Sequence, residues 1–300
     1  MTLAAAFEIG TLKCHTLEGG RQKLDGGAMF GVVPKPLWER RIEADELNRI
    51  PLSLRCLLIE HDDGPILVDT GIGNKENDKF LDIYGVENGG KKGATQLEDA
   101  LLEAGFKPAD VRFVVNTHLH FDHAGGNTAL AGKRGGREAS GRQSGSVAEL
   151  AFPNATYVVQ RGELEYARNT NERTAGSYLS HNFDPVDEAG KWQLVEGEVE
   201  LVPGVRLIPT PGHVPYHQSV LITHGGETAC FLGDLIPTSA HVPLPWIMGY
   251  DVEPLVTLES KRALLALAEA EEWTMIFEHD PAVALGRAVR DRKSYRCEPL

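Results

Sequence analysis

The sequence predicts an α/β protein whose sheets are covered by helices, and three observations point there. Short apolar runs of strand length recur along the chain, only a few helical stretches interrupt them, and turn-forming residues separate the runs. In chain order, Leu54-Arg55-Cys56-Leu57-Leu58-Ile59-Glu60 and Pro65-Ile66-Leu67-Val68-Asp69 flank His61-Asp62-Asp63-Gly64. That spacer is turn chemistry, so a β-hairpin is expected. A helix is expected from about Thr95 to Ala104, because Thr95 and Glu98 make a capping box and Gly105 is a C-terminal stop. Val111–Asn116 reads as a short strand, as do 156–159, 205–208, 219–223 and 228–232. The clearest long helix runs from about Pro254, acceptable in a first turn, to Glu271. It leads into what reads as the last strand, Trp273–Phe277.

A chain of 300 residues suits one large domain or two small ones; one domain over residues 1–300 is the expectation. Residues 1–50 are weakly periodic, yet Phe30, Val32, Val33, Leu37 and Trp38 are too apolar for a free tail. That segment is expected to wrap the domain, edge a site, or meet a second subunit in a homodimer. Residues 132–146 are rich in Gly, Ser and Arg and are expected to form a mobile surface loop.

Charge and cysteines narrow the class. Acidic residues outnumber basic ones, 43 against 30, for a net −13. That balance argues against a phosphate-tracking partner, so no nucleic-acid binding is expected. No apolar run approaches the roughly 18 residues of a membrane span, and Met1–Glu8 lacks the basic n-region of a signal peptide. Cys14, Cys56, Cys230 and Cys297 form no CxxC pair, and Cys56 and Cys230 sit in apolar runs. Buried free thiols in a cytoplasmic protein are therefore expected.

The segment that carries chemistry is Thr117-His118-Leu119-His120-Phe121-Asp122-His123-Ala124-Gly125-Gly126, directly after a strand. His118 and His120 lie two apart and point the same way in extended chain. Asp122 and His123 fall where a turn could enter a helix. Four such groups without partners would be costly to bury together, so packing is a poor explanation. Imidazoles and carboxylates suit Zn²⁺, with other divalent transition metals possible. Three further apolar runs end in metal-competent residues: His213 after Ile208-Pro209-Thr210-Pro211-Gly212, Asp234 after Phe231-Leu232-Gly233, and His279 after Ile276-Phe277-Glu278. Strand ends are where α/β folds tend to build sites.

With Leu67-Val68-Asp69-Thr70-Gly71 at the front, this ordered set resembles the metallo-β-lactamase superfamily over most of the chain. The resemblance implies an αβ/βα four-layer sandwich with a dinuclear metal site at one edge of the sheets. It implies that His118, His120 and His213 hold one zinc, that Asp122, His123 and His279 hold the other, and that Asp234 bridges them. Asp69 would orient ligands rather than bind metal.

Residue types then separate the branches. Flavo-di-iron relatives place Glu where this chain has His120, and the commonest zinc β-lactamases use a Cys ligand and lack the bridging aspartate. The charge does not suggest a tRNA-processing nuclease, and the glutathione-binding tail of glyoxalase II is not evident in 280–286. The stretch Asp25–Lys35 and residues 118–126 look like the branch of N-acyl-homoserine lactonases and organophosphate hydrolases. Related lactonases carry a tyrosine three residues after the bridging aspartate, where this chain has Pro237. Tyr178, Tyr216, His241 and Trp246 are the candidates for that space. The expected enzyme opens lactone rings of a small-molecule substrate with Asp122 as the catalytic proton carrier, and Met29, Phe30 and Phe121 are candidates to receive an acyl chain. The alternatives are an organophosphate, arylester or β-lactam hydrolase and, outside enzymes, a non-catalytic metal-binding protein.

Overall fold

Two seven-stranded mixed sheets and one two-stranded ribbon organise the residues that the computed structural model describes, 2–130 and 148–300. The stretch 132–146 lies outside the described residues. The strands of the amino-terminal part are β1 (Ala4–Ile9), β2 (Leu12–Asp25), β3 (Arg49–Ile59), β4 (Ile66–Val68), β5 (Phe113–Val115), β6 (Thr128–Leu130), β7 (Ala148–Leu150), β8 (Thr156–Gln160) and β9 (Trp192–Val195). The first sheet runs β1-β2-β3-β4-β5-β8-β9, and β6 pairs with β7. The second runs in chain order through β10 (Val199–Val202), β11 (Val205–Pro209), β12 (Gln218–His224), β13 (Glu227–Phe231), β14 (Thr274–Ile276), β15 (Leu285–Asp291) and β16 (Ser294–Pro299). The chain forms two compact units. One comprises Met1–Glu8, Leu12–Arg21 and Leu54–Glu196; the other comprises Ile9–Thr11, Gln22–Ser53 and Gly197–Leu300.

In the first unit, β3 and β4 pair antiparallel with Leu57 opposite Val68, as the hairpin reading expects, and Gly64 supplies a φ of 109° in the turn. β4, β5 and β8 then run parallel, the arrangement that helical crossovers produce. The helix Gln96–Glu103 lays Leu97, Ala100 and Leu101 on Leu58, Leu67, Val114 and Tyr157 of this sheet. Each fully buried aliphatic side chain there contributes about 1.5–3 kcal/mol relative to exposure. Thr95 Oγ1 accepts the Glu98 N–H at 3.3 Å, as expected of the cap, but the Glu98 carboxylate takes the N–H of Ala94 rather than that of Thr95.

In the second unit, the helix Pro254–Ala270 lays Leu264, Leu265 and Ala268 on Cys230, Met275 and Phe277. Two strands follow the run read as the last one. β15 and β16 form a hairpin whose register places Asp291 opposite Ser294. Its turn is Arg292-Lys293, with Arg292 at φ 53° instead of the glycine or asparagine that would announce it. Residues 12–25 form another strand that weak periodicity hides, because 14–17 are buried consecutively rather than in alternation. Cys14, Cys56 and Cys230 are buried free thiols and Cys297 is a half-buried one. No helix among the described residues is long and apolar enough to cross a membrane.

Candidate metal centre

Each unit presents its own cluster of metal-competent side chains. In the first, β4 and β5 are parallel neighbours with Val68 opposite Val115. Asp69 and Asn116-Thr117 therefore leave the sheet side by side, and the Asp69 N–H donates to Val115 O at 2.9 Å. Asp69 sits at φ 55°, a left-handed conformation that aspartate tolerates better than most residues. Its fully buried carboxylate accepts from Thr117 N at 2.8 Å, Thr117 Oγ1 at 2.7 Å and His123 Nδ1 at 3.0 Å. Because the Thr117 hydroxyl spends its one proton on Asp69, it must accept from Nδ1 of His118 at 3.1 Å. The Nε2 atoms of both His118 and His123 are thus left as lone-pair donors.

The four motif side chains do converge locally. The His118 ring lies 4.4 Å from that of His120 and 4.0 Å from that of His123. His118 and His120 offer ligand atoms within 4.8 Å of each other, and so do Asp122 and His123. The helix begins earlier than its glycines suggest, at Phe121, with His120 as the extended residue before it. Gly125 and Gly126 follow it in a 3-10 turn, and a Cβ on Gly125 or Gly126 would collide with the carbonyl oxygen of Ile72 or Thr70 respectively. The carbonyls of Thr70 and Ile72 close on this turn because glycine leaves them room.

In the second unit, β13 and β14 run parallel with Phe231 opposite Ile276. Asp234 and His279 each lie three residues beyond these partners, at the same end of the sheet. His279 Nδ1 donates to Ser53 O at 2.8 Å, its N–H donates to Pro237 O at 3.0 Å, and its own carbonyl accepts from Ser53 N at 3.1 Å. His213 follows Gly212, whose φ of 133° lets the start of the Pro254–Ala270 helix approach so closely that a Cβ would lie 2.3 Å from Thr257 N. His213 Nδ1 donates to the buried Asp251 carboxylate at 2.9 Å. With both Nδ1 atoms engaged as donors, the Nε2 lone pairs face outward. His213 Nε2 meets Asp234 Oδ2 at 3.1 Å, and His279 Nε2 meets Asp234 Oδ1 at 3.1 Å.

This second arrangement tests whether the donors fit a metal. A neutral imidazole lone pair and a carboxylate oxygen at that distance repel unless a positive charge lies between them or the ring takes a second proton. One carboxylate here presents each oxygen to a different imidazole lone pair. The donor chemistry suits a borderline divalent cation.

Several supporting residues were invisible in the sequence. Asp251 and the Ser53 carbonyl set the tautomers of His213 and His279. His217 supports the Asp234 backbone through a chain whose proton order follows from its end. Ser219 Oγ donates to Leu232 O at 3.1 Å, so Thr210 Oγ1 donates to Ser219 at 2.9 Å, and His217 Nδ1 donates to Thr210 at 2.8 Å. His217 Nε2 then accepts the Asp234 N–H at 3.1 Å. A polar residue immediately before β12 is the local signal of His217.

The remaining candidates are dispersed. Met29 and Phe30 are buried in a cluster with Trp38, Ile50, Leu52 and Met248. Phe121 packs with Phe80 and Tyr84 at ring separations of 5.0 and 4.9 Å. Burial, and then the charge of Asp122, raise the pKa of the Tyr84 phenol. Of the candidates for the space at Pro237, Tyr178 packs edge-on against His120 at 4.7 Å, and Tyr216 is about half exposed. His241 is stacked on Phe30 at 4.5 Å with both ring nitrogens engaged, by Thr238 Oγ1 and Met29 O. Burial pulls its pKa down to about 4, so it is neutral at pH 7. Trp246 meets Phe30 edge-on at 5.7 Å.

Asp69→Ala removes the acceptor of the buried Thr117 and His123 donors. The variant is expected to fold and to lose about 10–100-fold in metal affinity, the usual cost of removing a ligand's hydrogen-bond partner. Chelator competition measures this, and an insoluble or unfolded variant would instead make Asp69 a determinant of the fold.

Comparison with known proteins agrees with this geometry. The model of the metallo-beta-lactamase superfamily matches residues 50–147 and 148–279. An N-acyl homoserine lactonase of Bacillus sp. is 34% identical over 239 residues, 77% of this chain and 82% of the relative. The crystal structure of a probable metal-dependent hydrolase from Staphylococcus aureus superposes with a TM-score of 0.82 at 32% identity, covering 97% of this chain and 99% of that one. AidC, a dizinc quorum-quenching lactonase, shares the fold at a TM-score of 0.78 and 19% identity, with 100% and 99% covered.

Proposed function

Because this chain belongs to the metallo-β-lactamase superfamily of metal-dependent hydrolases, we propose that it is a dinuclear zinc enzyme that opens N-acyl-homoserine lactone rings. In this reading His118, His120 and His213 hold one ion, Asp122, His123 and His279 hold the second, and Asp234 serves both. Seven donors are too many for one tetrahedral ion. The observation that carries the reading is Asp234, each of whose oxygens lies 3.1 Å from a separate imidazole Nε2. The substrate class is supported by the Bacillus lactonase, which aligns over most of its length.

When bound, two such ions supply a hydroxide at neutral pH and polarise the substrate carbonyl. The chain's own contribution begins with orientation: Asp69, Thr117, Asp251 and the Ser53 carbonyl hold His123, His118, His213 and His279 respectively, each with Nε2 presented. Asp122 is the proposed proton carrier. Water adds across the ring ester, its oxygen joining the acyl carbon as the ring C–O bond breaks; one of its protons passes by way of Asp122 to the departing alkoxide, and the other is the proton of the new carboxylic acid, released to solvent at neutral pH. The alkoxide stays tethered to the acyl group, so one hydroxy acid results. Met29, Phe30 and Phe121 are proposed to back the surface that takes the acyl chain. The proposed setting is the cytoplasm, with a small-molecule substrate.

The test combines metal content with a substrate panel. Metal-replete protein is expected to contain about two equivalents of a zinc-type ion; one equivalent or none rejects the dinuclear site. Values of kcat/KM for acylated lactones are expected to exceed those for a phosphotriester, a simple ester and a β-lactam, since that ratio measures discrimination. A phosphotriester, ester or β-lactam cleaved clearly faster than every lactone rejects the substrate class. Bound metal with no turnover of any of them rejects the enzyme.

A further inference from the structure

We propose that Glu163 is a positioning residue that sets His118 and His120 through the peptide between them and through Tyr178. The proposal rests on the reading that His118 and His120 hold metal.

Glu163 stands in the first turn of the helix Arg161–Arg168, which follows β8, and its side chain is fully buried. Its Oε1 accepts the Leu119 N–H at 3.0 Å and the Tyr178 O–H at 2.9 Å. Leu119 is itself fully buried and lies between two proposed ligands, on a stretch between β5 and the Phe121–Ala124 helix that belongs to neither. A buried N–H outside any ladder needs an acceptor. A carboxylate binds it more strongly than a neutral oxygen does. Fixing the orientation of this one peptide fixes where the two flanking imidazoles emerge.

Tyr178 adds a second hold. Its ring packs edge-on against the His120 ring at 4.7 Å while its hydroxyl is tied to the same Glu163 oxygen. The neighbouring Ser177 carbonyl accepts the Phe121 N–H at 2.9 Å. Both ends of the Leu119-His120 segment are therefore braced, by Glu163 on one side and by residues 177–178 on the other. A carboxylate is costly to bury in such a place, and the Leu119 and Tyr178 donors that it accepts both lead to the histidine pair. Helix packing alone would be served by an apolar side chain here, as it is by Leu164 next in the chain.

The test uses Co²⁺ as the probe in the full-length protein. Affinity is read by chelator competition, ligand geometry by the visible spectrum, and folding by the melting curve of the metal-free form. Glu163→Leu keeps the size and removes the acceptor; it is expected to weaken Co²⁺ binding by about 10–100-fold and to shift the spectrum. Glu163→Gln keeps an acceptor oxygen and is expected to restore most of the affinity and the native spectrum. Tyr178→Phe, which keeps the ring against His120 and removes one donor, is expected to fall between native and Glu163→Leu. A Glu163→Leu protein with native affinity and spectrum overturns the proposal, and so does a Glu163→Gln protein as impaired as Glu163→Leu. If Glu163→Leu does not fold, a native spectrum in Tyr178→Phe overturns it. Native protein that binds no Co²⁺ overturns the metal reading on which it rests, which separates the two failures.

Discussion

Asp234→Asn is expected to lower kcat/KM for a lactone by roughly 10³-fold or more while raising the melting temperature of the metal-free protein. Both effects come from one local conflict. Asp234 Oδ2 and Oδ1 lie 3.1 Å from the Nε2 atoms of His213 and His279, whose Nδ1 atoms already donate to Asp251 and to Ser53 O. Without a cation these are lone pairs facing lone pairs. An amide replaces one of those oxygens with an NH2 that donates to one imidazole and occupies the atom a metal would use, and it leaves a neutral, less repulsive oxygen facing the other. On the proposed reading, the amide's remaining neutral oxygen would be a poorer metal ligand than a carboxylate. Loss of several kcal/mol of metal-derived stabilisation, at about 1.4 kcal/mol per factor of ten, gives the size of the activity loss. Steady-state kinetics, metal analysis and melting curves after chelation measure the three consequences. Activity within tenfold of native rejects the role of Asp234. A metal-free variant that melts below metal-free native protein rejects the account of the conflict.

Gly126→Ala is expected to cost more than about 3 kcal/mol of stability, at the upper end of overpacking penalties. The added Cβ would lie 2.2 Å from the Thr70 carbonyl oxygen and 3.0 Å from the Thr70 side chain. Thr70 has little freedom to retreat. Its N–H donates to His123 O at 2.7 Å, and its hydroxyl lies 2.9 Å from that same oxygen. Any shift that admits the methyl group therefore displaces the turn carrying Asp122 and His123. Denaturant unfolding of the metal-free protein checks the magnitude, and metal binding should weaken with it. A loss under 1 kcal/mol would show that the approach of Thr70 to this turn is soft.

Much of the candidate site was legible because its signals are local. His118, His120, Asp122 and His123 announce themselves by spacing, and His213, Asp234 and His279 by standing just beyond apolar runs. The hairpin around Gly64 and the Thr95 cap were legible for the same reason: turn and cap chemistry depends on residues three or four positions apart. Strands β2, β15 and β16 were not. β2 buries four consecutive residues, 14–17, and the β15–β16 turn uses Arg292 where a glycine or asparagine would have been the signal.

By itself the sequence determined the α/β class, the ordered set of metal-competent residues and the family they resemble, since these follow from periodicity, residue chemistry and order along the chain. Only the tertiary structure decided which groups orient those residues. Asp251 is 38 positions from His213, Glu163 is 44 from Leu119, and Ser53 is 226 from His279. A hydrogen bond selects its partner by position and angle within about 3 Å, and along the chain Asp251 and Glu163 look like any other carboxylates. Burial gives those choices their consequence: away from water each Nδ1–H must find a protein acceptor, and the acceptor it finds determines that Nε2 is the atom presented to a metal.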